Sequence, residues 1–226
     1  MKLISTELGR AAQGFIGDEI RPLSGLNLPE FIRLIQDRYG FVRASDIKDV
    51  GQTGAKFQQG RLTIGTKTIN ITELAVFSDG IVVTSFHTDD AEFILKDLFD
   101  WSKGVFGFRE PETEKPRIFE SHIVVEFDRP IDPAMRAFDG VRQEIAKSVE
   151  DTYGIKAPIG YHRVDLSAPM KPQLEIGRPS LAIERRINYP FEANRFFSTS
   201  SFRTERHLEL LQAFENAIER RRLRGS

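Results

Sequence analysis

The chain contains no cysteine, which excludes disulfides and thiolate metal sites outright and fits a reducing compartment. No apolar run approaches the roughly 18 residues expected of a membrane span. The opening residues, Met-Lys-Leu-Ile-Ser-Thr-Glu-Leu-Gly, lack the apolar stretch of a signal peptide. The expectation is a soluble, cytoplasmic protein with no membrane partner. Tryptophan and tyrosine are scarce, at 1 and 4, against 18 phenylalanines. Phe needs no polar partner when buried, so this mix suits a dry core.

Common chemical signatures are missing too. The glycines around Gly51, Gly54, Gly60 and Gly65 have neither the phosphate-loop spacing with its Lys-Ser/Thr nor the dinucleotide fingerprint, and read as turn glycines. There is no Gly-x-Ser-x-Gly elbow and no His-Glu-x-x-His helix. Glu73-Leu-Ala and Glu126-Phe-Asp lack the lysine of a restriction-type nuclease core. No cofactor and no resident metal are expected.

What is present is a chain of 226 residues, enough for one large domain or two small ones. Its net charge of −1 is unevenly spread: residues 88–155 are acidic by 7 and residues 156–226 basic by 5. Opposite fields in one chain suit self-association or a partner of mixed charge.

The most informative stretch is residues 73–104. Asp79-Gly80 between Glu-Leu-Ala-Val-Phe-Ser and Ile-Val-Val-Thr-Ser-Phe marks a hairpin with a two-residue turn. That turn sets Val76 opposite Val83 and Phe77 opposite Val82. Leu74, Val76, Ile81 and Val83 then share one face, with Ala75, Phe77, Val82 and Phe86 on the other. Apolar residues on both faces place the hairpin inside a sheet. A helix follows, with Thr88 as its cap, Asp89, Asp90 and Glu92 in its first turn, and Gly104 as its stop.

Elsewhere, residues 1–27 read as an extended arm and residues 28–39 as a helix ended by Gly40. Strands fall near 56–64 and 67–72. A charged, Pro-bounded linker spans 104–116. In the second half a strand at 117–127 leads to a helix opened by Asp132-Pro133 and closed by Gly154. Strands follow at 158–167 and within 173–188, and a helix runs from Thr204 to about Arg222. The fold class is α+β: an antiparallel β-meander plus helix in the N-terminal half (1–103), and a β-α-β-β-(β)-α layered unit in the C-terminal half (117–226). No repeat shows in the sequence itself.

Two groups of residues carry candidate function. His87, Asp89 and Asp90 at a helix start, with His122 and His162 on strands, have the chemistry of a divalent-metal or general-base site. Dipole complementarity alone also accounts for the two aspartates. The two strand histidines lack the His-x-Thr/Ser pattern of two-histidine phosphoesterases, since Val124 and Val164 occupy the third positions. The second group lies in residues 184–203, where Arg185, Arg186 and Arg195 interleave with Tyr189, Phe191, Phe196, Phe197 and Phe202 and little regular pattern is visible. Arginines with aromatics are what protein interfaces are anchored by, and they also stack single-stranded bases. The reading is a non-catalytic subunit that docks into a homo- or hetero-oligomer through 184–203 and the basic end of the last helix, Arg220 to Arg224. The alternatives are a metal-dependent hydrolase of phosphate esters and a nucleic-acid binder using Arg185, Arg186, Arg195, Arg203 and the terminal arginines.

Overall fold

The computed structural model describes residues 1–226 except 17, 18, 24, 47–49, 51–53, 113–114, 133–137, 170–177 and 225–226. The expected Pro133 helix start lies outside the described residues. The strands are β1 (Lys2–Gly14), β2 (Arg43–Ala44), β3 (Ala55–Ile64), β4 (Lys67–Val76), β5 (Gly80–Ser85), β6 (Ile118–Glu126), β7 (Arg163–Ser167), β8 (Ser180–Arg185) and β9 (Arg195–Ser200). The helices are α1 (Leu28–Tyr39), α2 (Thr88–Phe106), α3 (Asp139–Tyr153) and α4 (Thr204–Arg224). All nine strands form one antiparallel sheet in the order β2-β3-β4-β5-β1-β6-β9-β8-β7. The α+β class is as read from the sequence, and one sheet runs through both halves.

The order conceals a repeat of topology. Strand, helix, a run of strands and helix occur in each half, and β3-β4-β5-β1 mirrors β7-β8-β9-β6 across the central β1–β6 pair. Each half keeps its own core. The first gathers Phe31, Ile35, Tyr39, Phe57, Leu74, Val83, Ile94 and Leu98. The second gathers Ile123, Val125, Phe127, Ile183, Phe196 and Leu211.

The largest departure from the sequence reading is β1. Expected as an arm, it is a 13-residue strand at the centre of the sheet. Its inner residues are small because helix ends press on them. A Cβ on Gly9 would stand 2.2 Å from the His87 carbonyl carbon and 2.3 Å from the Thr88 nitrogen, closer than any side chain tolerates. The 73–86 hairpin also differs. Val76 faces Ile81 and Leu74 faces Val83, and Phe77 N–H donates to the Gly80 carbonyl at 2.8 Å, so the turn is centred on Ser78-Asp79, one residue earlier than expected. Each cross-strand partner shifts by two residues, so every side chain keeps the face assigned to it.

Where the halves meet, two helices begin in the interior. Ala91 N–H donates to the His87 carbonyl, and His207 N–H to the Arg203 carbonyl, so His87 and Arg203 are equivalent helix caps. Thr88, expected to cap α2, is its first residue instead. The His87 ring caps the helix, its Nδ1 accepting from Asp89 N–H at 3.3 Å. Thr88 and Thr204 are almost wholly buried and serve each other. Thr88 N–H donates to Thr204 Oγ1 at 3.2 Å, Thr204 N–H donates to Thr88 Oγ1 at 2.8 Å, and the hydroxyls are 3.1 Å apart. Helix starts leave N–H groups that need a partner, and here each helix takes one from the first side chain of the other.

This reciprocity predicts a coupled loss of stability. Thr88→Val and Thr204→Val should each cost about 1–2 kcal/mol, the range for losing a helix cap. The double variant should cost clearly less than the sum, because either change alone already breaks the pair. Urea unfolding of the four proteins measures this, and strictly additive losses would contradict it.

Candidate interaction surface

The sheet has two faces. Phe119, Ser121, Ile123 and Val125 of β6 turn toward the helices. Ile118, Glu120, His122, Val124 and Glu126 alternate to the opposite, open face. On that face His122 Nε2 lies 2.7 Å from Glu120, which also accepts from Arg10 at 2.6 Å. The hydrogen bond from His122, reinforced by Arg10 and opposed by partial burial, holds the Glu120 carboxyl below the usual range. Phe197 packs edge-on against the His122 ring.

The histidines and aspartates expected to converge do not. His87 caps α2 on the helix side, whereas His122 is on the open face. His162 precedes β7, three strands from β6 and so about 14 Å away at normal strand spacing. It sits 3.5 Å from Glu184 with its ring more than half exposed. Asp90 is paired with Lys67 at 2.5 Å, and Asp89 with Arg203 at 3.4 Å. No group of three His, Asp or Glu side chains suited to a metal exists among the described residues.

One constellation with the look of a nucleophile site went unnoticed in the sequence. His207 is wholly buried between Ser121 and Ser198. Ser198 Oγ donates to the Ala182 carbonyl at 2.6 Å. Its single proton is thereby used, so it accepts from His207 Nε2–H at 2.8 Å. His207 Nδ1 then accepts from Ser121 Oγ–H at 2.9 Å. No carboxylate orients the ring, and both serines are sealed under α4, so the triplet fastens α4 to β6 and β9. The clue was available: Ser198 and Ser200 alternate with Phe197 and Thr199, a strand whose inward positions are polar.

Residues 184–203 are not an irregular loop, since Arg195–Ser200 is β9. Arg185 and Phe196, expected at a partner-facing surface, are interior. The Arg185 guanidinium lies between the Phe191 and Phe196 rings. It donates to Asp132 at 2.5 Å and to the carbonyls of Tyr161 and Phe191. Asp132 is its ion-pair partner. Arg195 covers Tyr189 and pairs with Glu126 at 3.0 Å. Arg203 pairs with Glu92 and covers Phe119. Burial opposes ionisation of Glu92, yet Arg203 and Arg117 hold its carboxyl below the usual range. Arg186, Tyr189, Phe191 and Phe202 remain exposed, and Phe197 is half-buried. Of Arg185, Arg186, Arg195 and Arg203, all but Arg186 are paired with a carboxylate among the described residues.

A row of exposed apolar residues lies along α3. In the first half, α1 buries Phe31, Ile32, Ile35 and Tyr39. Its counterpart α3 buries no residue at all. Phe138, Val141 and Ile145 repeat at helical spacing and are 53%, 60% and 45% exposed. Phe138 packs on Tyr161, and Arg142 covers the same ring and donates to the Ile159 carbonyl at 2.8 Å. Phe191 lies against Gly160. The face of α3 therefore continues through residues 159–161 into the exposed end of the 184–203 segment.

The buried imidazole generates a pH prediction. Burial, with the nearby His122 adding to it, pushes His207 down to about 4. The unfolded chain takes up this proton below pH about 6.5. The contribution is complete above that value and drains away as pH falls toward about 4, a loss of about 3 kcal/mol. His207→Gln should flatten the dependence of unfolding free energy between pH about 7 and about 5. An unchanged slope would contradict the assignment.

No protein-family model and no curated protein matches the sequence. Among solved structures, one titled Methanococcus jannaschii TBP aligns over 97% of this chain and 99% of that one, at 10% identity and a TM-score of 0.45. That degree of likeness assigns neither family nor function.

Proposed function

We propose that this protein is a non-catalytic assembly subunit whose second half is completed by a protein partner. The supporting observation is the contrast between α1, seated on its sheet by four buried side chains, and α3, an amphipathic helix with none. Fully burying a Val, Ile or Phe side chain is worth about 1.5–3 kcal/mol, so a row of them left in water favours association. Arg186, Tyr189 and Phe191, at the exposed end of the 184–203 segment, have the composition of interface anchors. A nucleic-acid role is less well supported, because Arg185, Arg195 and Arg203 are already matched by Asp132, Glu126 and Glu92.

Isolated under native conditions, the chain should form a complex of defined stoichiometry, with itself or with another protein. Val141→Asp combined with Ile145→Asp should release it as a folded monomer. Its unfolding free energy should change by no more than about 0.5 kcal/mol, as for other exposed positions. A wild-type chain that is monomeric and accompanied by no stoichiometric protein, by light scattering and mass spectrometry, would overturn the reading.

A further inference from the structure

The strand β7 ends the sheet on the side of the second half, and among the described residues no strand pairs with its outer edge. The opposite end of the sheet is closed by the short β2, which pairs with β3. The inner side of β7 is defined by its register. Arg163 faces Glu184, Val164 faces Ile183 and Asp165 faces Ala182. Arg185 N–H donates to the His162 carbonyl, and Ala168 N–H to the Pro179 carbonyl. Residues of even number therefore direct their backbone groups to β8. In an antiparallel strand the alternate residues point the other way. The N–H and C=O groups of Arg163, Asp165 and Ser167 are thus directed outward, as a template for a further strand.

We infer that this edge pairs with the same edge of a second copy of the chain, antiparallel about a two-fold axis at Val164. This rests on the assembly reading above and gives that assembly a partner and a register. Charge selects the register. An axis at Asp165 would set Asp165 against Asp165 of the second copy, and like charges directly opposite are destabilising. An axis at Val164 sets Arg163 against Asp165 of the second copy, and Asp165 against its Arg163. Those facing pairs are also the ones whose backbone groups point outward, so each exchanges both hydrogen bonds. On the open face, Arg163 already meets Glu184 at 3.0 Å and Asp165 of its own strand at 2.8 Å, and the second copy's Asp165 adds a carboxylate on its outer side. On the helix side Val164 packs on Val164 of the second copy. A two-fold interface of this kind needs one self-complementary patch, and Arg163-Val164-Asp165 is such a patch.

The test uses full-length chains and charge. Wild type should show twice the mass of a single chain in sedimentation. Asp165→Arg carries two arginines at the contact and Arg163→Asp two aspartates, so each variant alone should be monomeric. Both positions are exposed and neither side chain enters a core, so both variants should melt as wild type does. Mixed in equal amounts, they restore both opposite-charge pairs, and a species of doubled mass holding one of each should return. A monomeric wild type, dimeric single variants, or a mixture that stays monomeric would each overturn the edge pairing. If the charge variants keep the wild-type complex while the α3 variant releases it, the edge pairing is wrong and the assembly reading stands.

Discussion

Two helices each begin on a buried threonine, and each threonine's N–H is met by the other's hydroxyl. Much of the architecture follows from that constraint. Thr88 and Thr204 must lie within hydrogen-bond distance, so α2 and α4 are pinned start to start across the seam. β1 must pass beneath them with no side chain at Gly9, since anything larger would strike the backbone at residues 87–88. Ser121, facing Gly9 on β6, uses its position to hold His207 in α4. Outside this dry centre, Arg203 at one helix start pairs with Asp89 and Glu92 at the other. The seam is therefore polar, neutral at its core and charge-matched at its rim.

Much of this was legible in the sequence, and the failures have physical causes. The meander, the hairpin faces and the helices at 28–39 and 204–224 follow from apolar period and helix-stop glycines. β1 was hidden because its buried positions beneath the start of α2 are the small Gly9 and Ala11, not the β-branched residues that announce a strand. β9 was hidden because its inward positions, Ser198 and Ser200, are polar in service of the seam. The cap of α2 was misassigned by one residue, since Thr88 has the better capping side chain yet spends it on Thr204. In each case the deciding interaction joins distant parts of the chain, and local pattern carries no trace of it. The repeated order of elements emerges only once β1 is placed as a central strand.

The two halves share a topology but not a degree of completion. The first is finished: α1 sits on its sheet, and Arg38 ties it to α2 through Asp97 at 2.8 Å. Tyr39 donates to the same carboxylate at 2.7 Å. Burial, with Asp97 beside it, pushes the Tyr39 hydroxyl well above its ordinary range, so it stays a neutral donor. The second half has a comparable core under α4, but its first helix and last strand face solvent. Function is sought in that difference, because the residues that looked catalytic are dispersed over both faces of the sheet and committed to ion pairs and caps.

Amide hydrogen exchange of the dilute, purified chain tests this asymmetry most directly. The account predicts slow exchange in β1, β6, α1, α2 and α4, with α3 and the outward amides of Arg163, Asp165 and Ser167 among the fastest in regular structure. It further predicts that the outward amides of Arg163 and Asp165 become protected on concentration. Protection of α3 equal to that of α1 in the dilute chain would contradict the account, because the second half would then be complete without a partner.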